Sequence, residues 1–299
     1  MSSIRFSRPA VAVLLMLGLA ACSRNDEAPV PHPVPATVSA AASAPAAPAA
    51  APQPARDRTK DAALMQAIFG ADYDPKAANA LAVIKAEGED GYFLMTLSDA
   101  IELPDGRTVV AVNGQPSDES RSDFAAHAAA GMLNIYTLRR EGTQWKVLAR
   151  HENVASMGSF GNFGSLKWVS LGPGKPGFIV SSGGVWQGNM ISGADVFELG
   201  EEVRHLGGYS EASSNAGACV PGMEECWDVD SSIRFVDGPQ GGAYSDILVD
   251  YKGKHYTVIE GKDGKDVEHL KTTVKESMRL HFDGKEYVVV SGANPVPGI

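Results

Sequence analysis

The chain has 299 residues, 44% of them hydrophobic and 21% charged, with a formal net charge of −10. Four basic and two acidic residues precede Asp57, so residues 57–299 hold 22 basic and 34 acidic side chains, a net −12. A domain that acidic repels phosphate backbones unless it carries a dense basic patch, and none is found, which argues against nucleic-acid binding. An acidic surface favours cationic partners, many cell-wall-degrading enzymes among them, or serves solubility alone.

Arg5 and Arg8 precede an apolar run over residues 10–21. Its 12 residues are too few for a permanent membrane span and right for the core of a signal peptide. The run ends in Leu19-Ala20-Ala21-Cys22, which resembles the lipobox of bacterial lipoproteins. The resemblance implies that residues 1–21 are a signal peptide and that Cys22 becomes a lipid-bearing N-terminus, acylated with chains such as palmitate. Buried acyl chains contribute about 0.8 kcal/mol per methylene, so several together anchor stably. Ser23 stands where an inner-membrane retention signal has aspartate, which implies the outer membrane. The domain is then expected to face the periplasm, with surface exposure as the alternative.

Residues 28–55 are nearly all alanine and proline and contain no lysine or arginine. Such a segment has little to bury, and residues 22–56 are expected to form a disordered tether. Extended at about 3.1 Å per residue, the alanine- and proline-rich part would reach at most roughly 87 Å.

Residues 57–299 are expected to form one globular domain that opens with helices at about 59–87. The first covers 59–69 with Leu64 and Ile68 on one face, ended by Gly70. The second starts from Asp74-Pro75, a capping acceptor followed by proline, and runs through Ala77, Leu81 and Ile84. After Gly91 short apolar runs alternate with Gly, Asp, Asn and Pro. Strands are expected at 92–97, 108–112, 133–138, 145–149, 166–169, 178–181, 195–199, 233–236, 247–250, 255–259, 278–282 and 287–290. Turns such as Pro104-Asp-Gly106, Arg140-Glu-Gly142 and Phe282-Asp-Gly284 join pairs of them.

Val109-Val-Ala111, Phe178-Ile-Val180 and Ile247-Leu-Val249 recur at intervals of 69 residues. Each is followed by a second apolar strand. The repeat predicts a mainly β fold, either propeller-like or built of repeated antiparallel sheets, with a β-sandwich as the alternative.

If lipidation uses Cys22, then Cys219 and Cys226 remain as an even pair in an oxidising compartment, bracketing Val-Pro-Gly-Met-Glu-Glu. A structural disulfide is favoured over redox or metal chemistry, which prefers the tighter CxxC spacing. Seven histidines are scattered without ligand spacing, and no GxSxG elbow accompanies the serines. Asp228 and Asp230 alternate as in a calcium loop, but the glycine and terminal glutamate of such a loop are missing. Calcium is therefore set against a solvated pair of turn carboxylates, and no cofactor is assigned.

The stretch 181–193 is rich in glycine and holds Ser182, Gly183, Trp186 and Gln187. Trp186 either projects from a loop as an interface anchor or packs between sheets. Tyr209 and Trp227, near the cysteine pair, are further binding candidates. Gln187-Gly188, Gly217-Ala-Cys219 with Cys226-Trp227, and Phe282-Asp-Gly-Lys-Glu-Tyr287 resemble a group of uncharacterised bacterial lipoprotein and periplasmic domains. That group often has two cysteines flanking a His-Ala pair, where this chain has alanines around His127. Ser182-Gly-Gly-Val-Trp186 is similar to the Ser-Gly-x-x-Tyr loop of periplasmic lysozyme inhibitors, with Trp in place of Tyr, and propeller-like immunity lipoproteins are a related likeness. These resemblances imply a non-enzymatic domain that binds a periplasmic protein, as an inhibitor or immunity protein against a wall-degrading enzyme. Rival expectations are a glycan-binding or cell-wall-acting enzyme and a structural envelope component.

Overall fold

The computed structural model describes residues 57–298 apart from Glu87, Ala125 and residues 239–241. The expected signal peptide, Cys22 and the alanine- and proline-rich segment lie outside the described residues.

Helix α1 (Arg58–Phe69) forms where expected. The Asp57 carboxylate accepts from the backbone N–H of Thr59 and Lys60, and Gly70 ends the helix with φ 58°. Leu64, Met65 and Ile68 form its buried face.

The second expected helix is not formed. Strand β1 (Tyr73–Asp74) is followed by a tight reversal and β2 (Asn79–Ala86). Asp74 accepts from the N–H groups of Lys76 and Ala77, as a capping residue would. Ala78 then turns left-handed at φ 54°, and Tyr73 pairs with Ala80. Ala80 and Ile84, the buried residues of β2, are four apart, a spacing that suits a helix and a strand alike. Pairing along the whole of β2 with the first half of the next strand, residues Glu89 to Thr96, decides between them.

The remaining strands are β3 (Glu89–Glu102), β4 (Arg107–Ser117), β5 (Gly131–Glu141), β6 (Gln144–Met157), β7 (Ser165–Gly172), β8 (Lys175–Trp186) and β9 (Asn189–Leu199), followed by β10 (Val203–Ser214), β11 (Cys226–Val236), β12 (Asp246–Glu260), β13 (Asp266–Phe282) and β14 (Tyr287–Ser291). They form two antiparallel sheets in which each strand pairs with its neighbours in sequence, β1 to β6 in one and β7 to β14 in the other. The fold is thus mainly β.

The repeat seen in the sequence falls on equivalent strands. Its triplets lie on β4, β8 and β12, and its second runs on β5, β9 and β13. Three successive four-stranded meanders, β3–β6, β7–β10 and β11–β14, therefore carry it. The second and third fuse into the eight-stranded sheet through only two residue pairs, Ser213 with Val229 and Ser214 with Asp228. This is the repeated-sheet form of the expectation, with two of the meanders joined instead of standing as separate blades.

Three apolar layers hold these parts together. Leu64, Met65 and Ile68 of α1 pack on Ala80, Met95, Val110, Val112 and Tyr136. The opposite face of the first sheet, with Val109, Ala111, Leu133 and Ile135, packs on Phe178, Val180 and Phe197 of the second. Phe178 and Phe197 stack in parallel at 4.9 Å. The second sheet then curls around Val196, Leu206, Val249, Tyr251 and Met278 without closing into a barrel. Continuous runs of burial in β4, β5 and β8 follow from this, since successive side chains point to opposite faces and both faces are covered.

Candidate interaction surface

Strands β8 and β9 end in a hairpin whose two turn residues, Gln187 and Gly188, both have positive φ, 48° and 80°. That geometry matches the right-handed twist of the flanking strands. The tip is braced from below: a Cβ added at Gly188 would lie 2.4 Å from the Gly217 carbonyl carbon. Trp186 stands beside the turn, opposite Asn189, and is 59% exposed. Of the two alternatives for this residue, the exposed one holds.

Two residues from other loops meet Trp186 there. The His127 ring lies edge-on to it with centroids 5.3 Å apart, and Phe160 lies 4.6 Å from His127 on the other side. Phe160 is 53% exposed and left-handed at φ 53°. Its loop is held by a hydrogen bond from Ser159 Oγ to the Gly183 carbonyl, and by Gly161 N–H donating to Ala129 O. Beneath it the buried Asn113 side chain donates to Gly161 O and accepts from Phe163 N–H. A strained aromatic residue kept in place by a buried amide is a pre-organised contact, not a fraying loop.

The three segments that build this surface, 124–131, 157–164 and 181–193, contain no Asp, Glu, Lys or Arg. In a chain that is 21% charged, these segments bear Phe124, Phe160, Val185 and Trp186, all exposed, and the Glu211 carboxylate reaches the third of them through Ser181 and Ser192. Exposed apolar clusters of this kind mark interaction sites on soluble domains.

The structure brings Ser182, Gly183, Trp186 and Gln187 onto this one hairpin. It does not bring Tyr209 and Trp227 to it. Tyr209 packs against the core of the second sheet, where burial and the neighbouring Glu211 hold its hydroxyl above the usual tyrosine range. Trp227 is half-buried, its indole N–H donating to Ser213 Oγ at 2.9 Å and its backbone N–H to Asn215 Oδ1. Both expected anchors are packing residues by position. Neither Phe160 nor His127 is among the binding candidates that the sequence offers. The one cue was the density of glycines around Phe160.

The Cys219 and Cys226 sulfurs lie at disulfide-bonding distance, with Cα atoms 5.8 Å apart. Cys226, Tyr256 and Val258 form a small buried cluster with Cys219 and Met223 against it. Asp228 and Asp230 sit on β11 in register with Lys254 and Lys252 of β12, in place of a turn. Among the described residues no three His, Cys, Asp or Glu side chains gather as metal ligands.

Two buried carboxylates lie elsewhere. Asp246 is 1% exposed and takes hydrogen bonds from Arg279 and His281. Glu198 accepts from Arg204 Nη2 at 2.6 Å, Tyr244 Oη at 2.8 Å and Lys175 Nζ at 3.2 Å. Burial by itself would raise the Glu198 pKa, but hydrogen bonds from Tyr244, Arg204 and Lys175 hold it below its usual value. Both carboxylates are thus charge-compensated within the fold.

No known protein family, curated protein or solved structure matches the chain. Among the described residues no helix is long and apolar enough to cross a membrane.

Proposed function

We propose that this chain is a lipid-anchored, non-enzymatic protein of the bacterial envelope whose β-domain binds another periplasmic protein. The supporting observation is the exposed Phe160–His127–Trp186 cluster, set in three uncharged segments and braced from behind by Asn113 and Gly217. An exposed tryptophan held in place by neighbouring rings is what dominant contact residues look like, while charge on the surrounding domain steers encounter. A net −12 steers cationic partners. Wall-degrading enzymes, many of them cationic, are the partner class this combination suits, with inhibition as the outcome of binding.

The anchoring part of the proposal rests on the lipobox at Cys22. Labelling cells with a clickable palmitate analogue is expected to mark the wild-type chain and not Cys22→Ser; equal labelling of both contradicts the anchor. The binding part is tested by assaying purified protein against a panel of muramidases and by comparing envelope proteins retained by wild type and by Trp186→Ala. Inhibition, or a partner retained by wild type alone, supports the reading. No inhibition together with identical retention by both forms contradicts it.

A further inference from the structure

A cleft of about 400 Å³ lies at one end of the first sheet, beside the opening turn of α1. The sheet supplies Glu102 and Thr108, paired across β3 and β4, and Arg140 and Trp145, paired across β5 and β6. The helix supplies Thr59, Lys60 and Ala63. Trp145 is half-buried, and Lys60 Nζ and Arg140 Cζ each lie 5.9 Å from its ring centre. The volume is that of an ordinary small-molecule site.

Thr108 sets this cleft apart. Val110 and Val112 pack beneath α1, so alternation along β4 turns Thr108 to the same face. It is 1% exposed, and its hydroxyl has no hydrogen-bond partner among the described residues. Buried hydroxyls are nearly always paired, because a bare one has given up its hydration for nothing. The charges lining the cleft cancel, Lys60 and Arg140 against Asp57 and Glu102. Lys60 meets Glu102 at 3.7 Å, and the Asp57 carboxylate caps the helix. The ion pairs next to them, Arg107 with Asp105 and Lys146 with Glu141, are balanced too. No net charge is left to select an ion, yet donors and acceptors stand together around an aromatic wall. We propose that the cleft binds one ring of an uncharged saccharide, a sugar hydroxyl meeting Thr108 Oγ1 and the apolar C–H face of the ring lying against Trp145. Sugar hydroxyls both donate and accept, so each can be matched by a carboxylate, a cation or a threonine.

The test titrates uncharged sugars (glucose, galactose, mannose and N-acetylglucosamine) and two charged relatives, glucosamine and glucuronate, into the purified full chain, followed by saturation-transfer NMR on the sugar. At least one uncharged sugar is expected to bind saturably, and more tightly than either charged relative. Thr108→Val keeps the shape of the side chain and removes only its hydroxyl. It is expected to weaken that sugar about fivefold, the worth of one neutral hydrogen bond, without lowering the melting temperature. Trp145→Ala is expected to abolish binding. The proposal is overturned if no uncharged sugar binds, if glucosamine or glucuronate binds as tightly as the best of them, or if Thr108→Val or folded Trp145→Ala binds as wild type does. Should Trp145→Ala fail to fold by circular dichroism, the Thr108→Val comparison decides alone. No protein partner enters this experiment, so its failure leaves the protein-binding role of the Trp186 patch standing.

Discussion

The imidazole of His127 is clasped edge-on against the indole of Trp186, at 5.3 Å between centroids, although His127 comes from the loop between β4 and β5 of one sheet and Trp186 from the end of β8 in the other. The contact fixes where an exposed tryptophan points and places it among segments that carry no formal charge. Because Trp186 is 59% exposed, it contributes little to the core. Trp186→Ala is therefore expected to change unfolding free energy by about 0.5 kcal/mol or less, as for surface positions generally, while removing partner binding. Chemical denaturation of the two forms checks the first half, and a larger loss would show that Trp186 is a packing residue.

Gly188 supports that tryptophan without touching a partner. Its φ of 80° disfavours any side chain, and a Cβ would lie 2.4 Å from the Gly217 carbonyl carbon. Gly188→Val should cost about 1–3 kcal/mol of stability and displace the hairpin tip, so that binding falls although Trp186 is intact. Thermal unfolding and the affinity of the same variant are the measurements, and an unchanged melting temperature would refute the close packing.

Glu198 gives the fold a dependence on acid. Its pKa is held below the ordinary 4.5, so its contribution is complete above that pH and is lost as pH falls through the lower folded value. Glu198→Gln leaves Arg204 and Lys175 without their counter-charge and is expected to cost about 1–3 kcal/mol at pH 7. The gap between variant and wild type should narrow steadily below pH 4.5. Urea midpoints across that range test it, and a gap that stays constant would mean the carboxylate is not stabilised by its partners.

The cysteine pair closes a loop of sequence separation 7 beside Tyr256 and Val258. Replacing both cysteines with serine is expected to cost about 2.5 kcal/mol on chain-entropy grounds. Denaturation with and without reductant should reproduce the difference in wild type and show none in the double variant. Insensitivity of wild type to reductant would contradict a structural bridge.

Much of the β architecture was legible because the turns announce themselves: Gly142 and Gly284 both have positive φ at the expected hairpins. Strand β10 escaped notice. Its residues Arg204, His205, Gly207 and Gly208 carry no apolar alternation around the one large buried side chain, Leu206, and pairing with β9 sets its course. The two strands expected at 247–250 and 255–259 are one, since Gly253 between them marks a close approach to the Asp228 backbone, not a turn. The second helix, expected from Asp74-Pro75 to about residue 87, shows the limit of local cues. Asp74 caps as expected, yet the chain reverses four residues later because β3 offers a partner along the whole of β2. The site was half legible for the same reason. Trp186 and its turn could be read locally, but their meeting with His127 and Phe160 is made by tertiary packing that no spacing records.

On the proposed function, the aromatic patch around Trp186 binds a protein of the periplasm. The most direct measurement of that binding is the affinity of wild type and Trp186→Ala for purified muramidases and other wall-degrading enzymes, by biolayer interferometry. At least one is expected to bind wild type and to bind the variant about thirtyfold or more weakly, the equivalent of roughly 2 kcal/mol for a dominant contact residue. Equal affinity of both forms for every enzyme that binds would contradict that function.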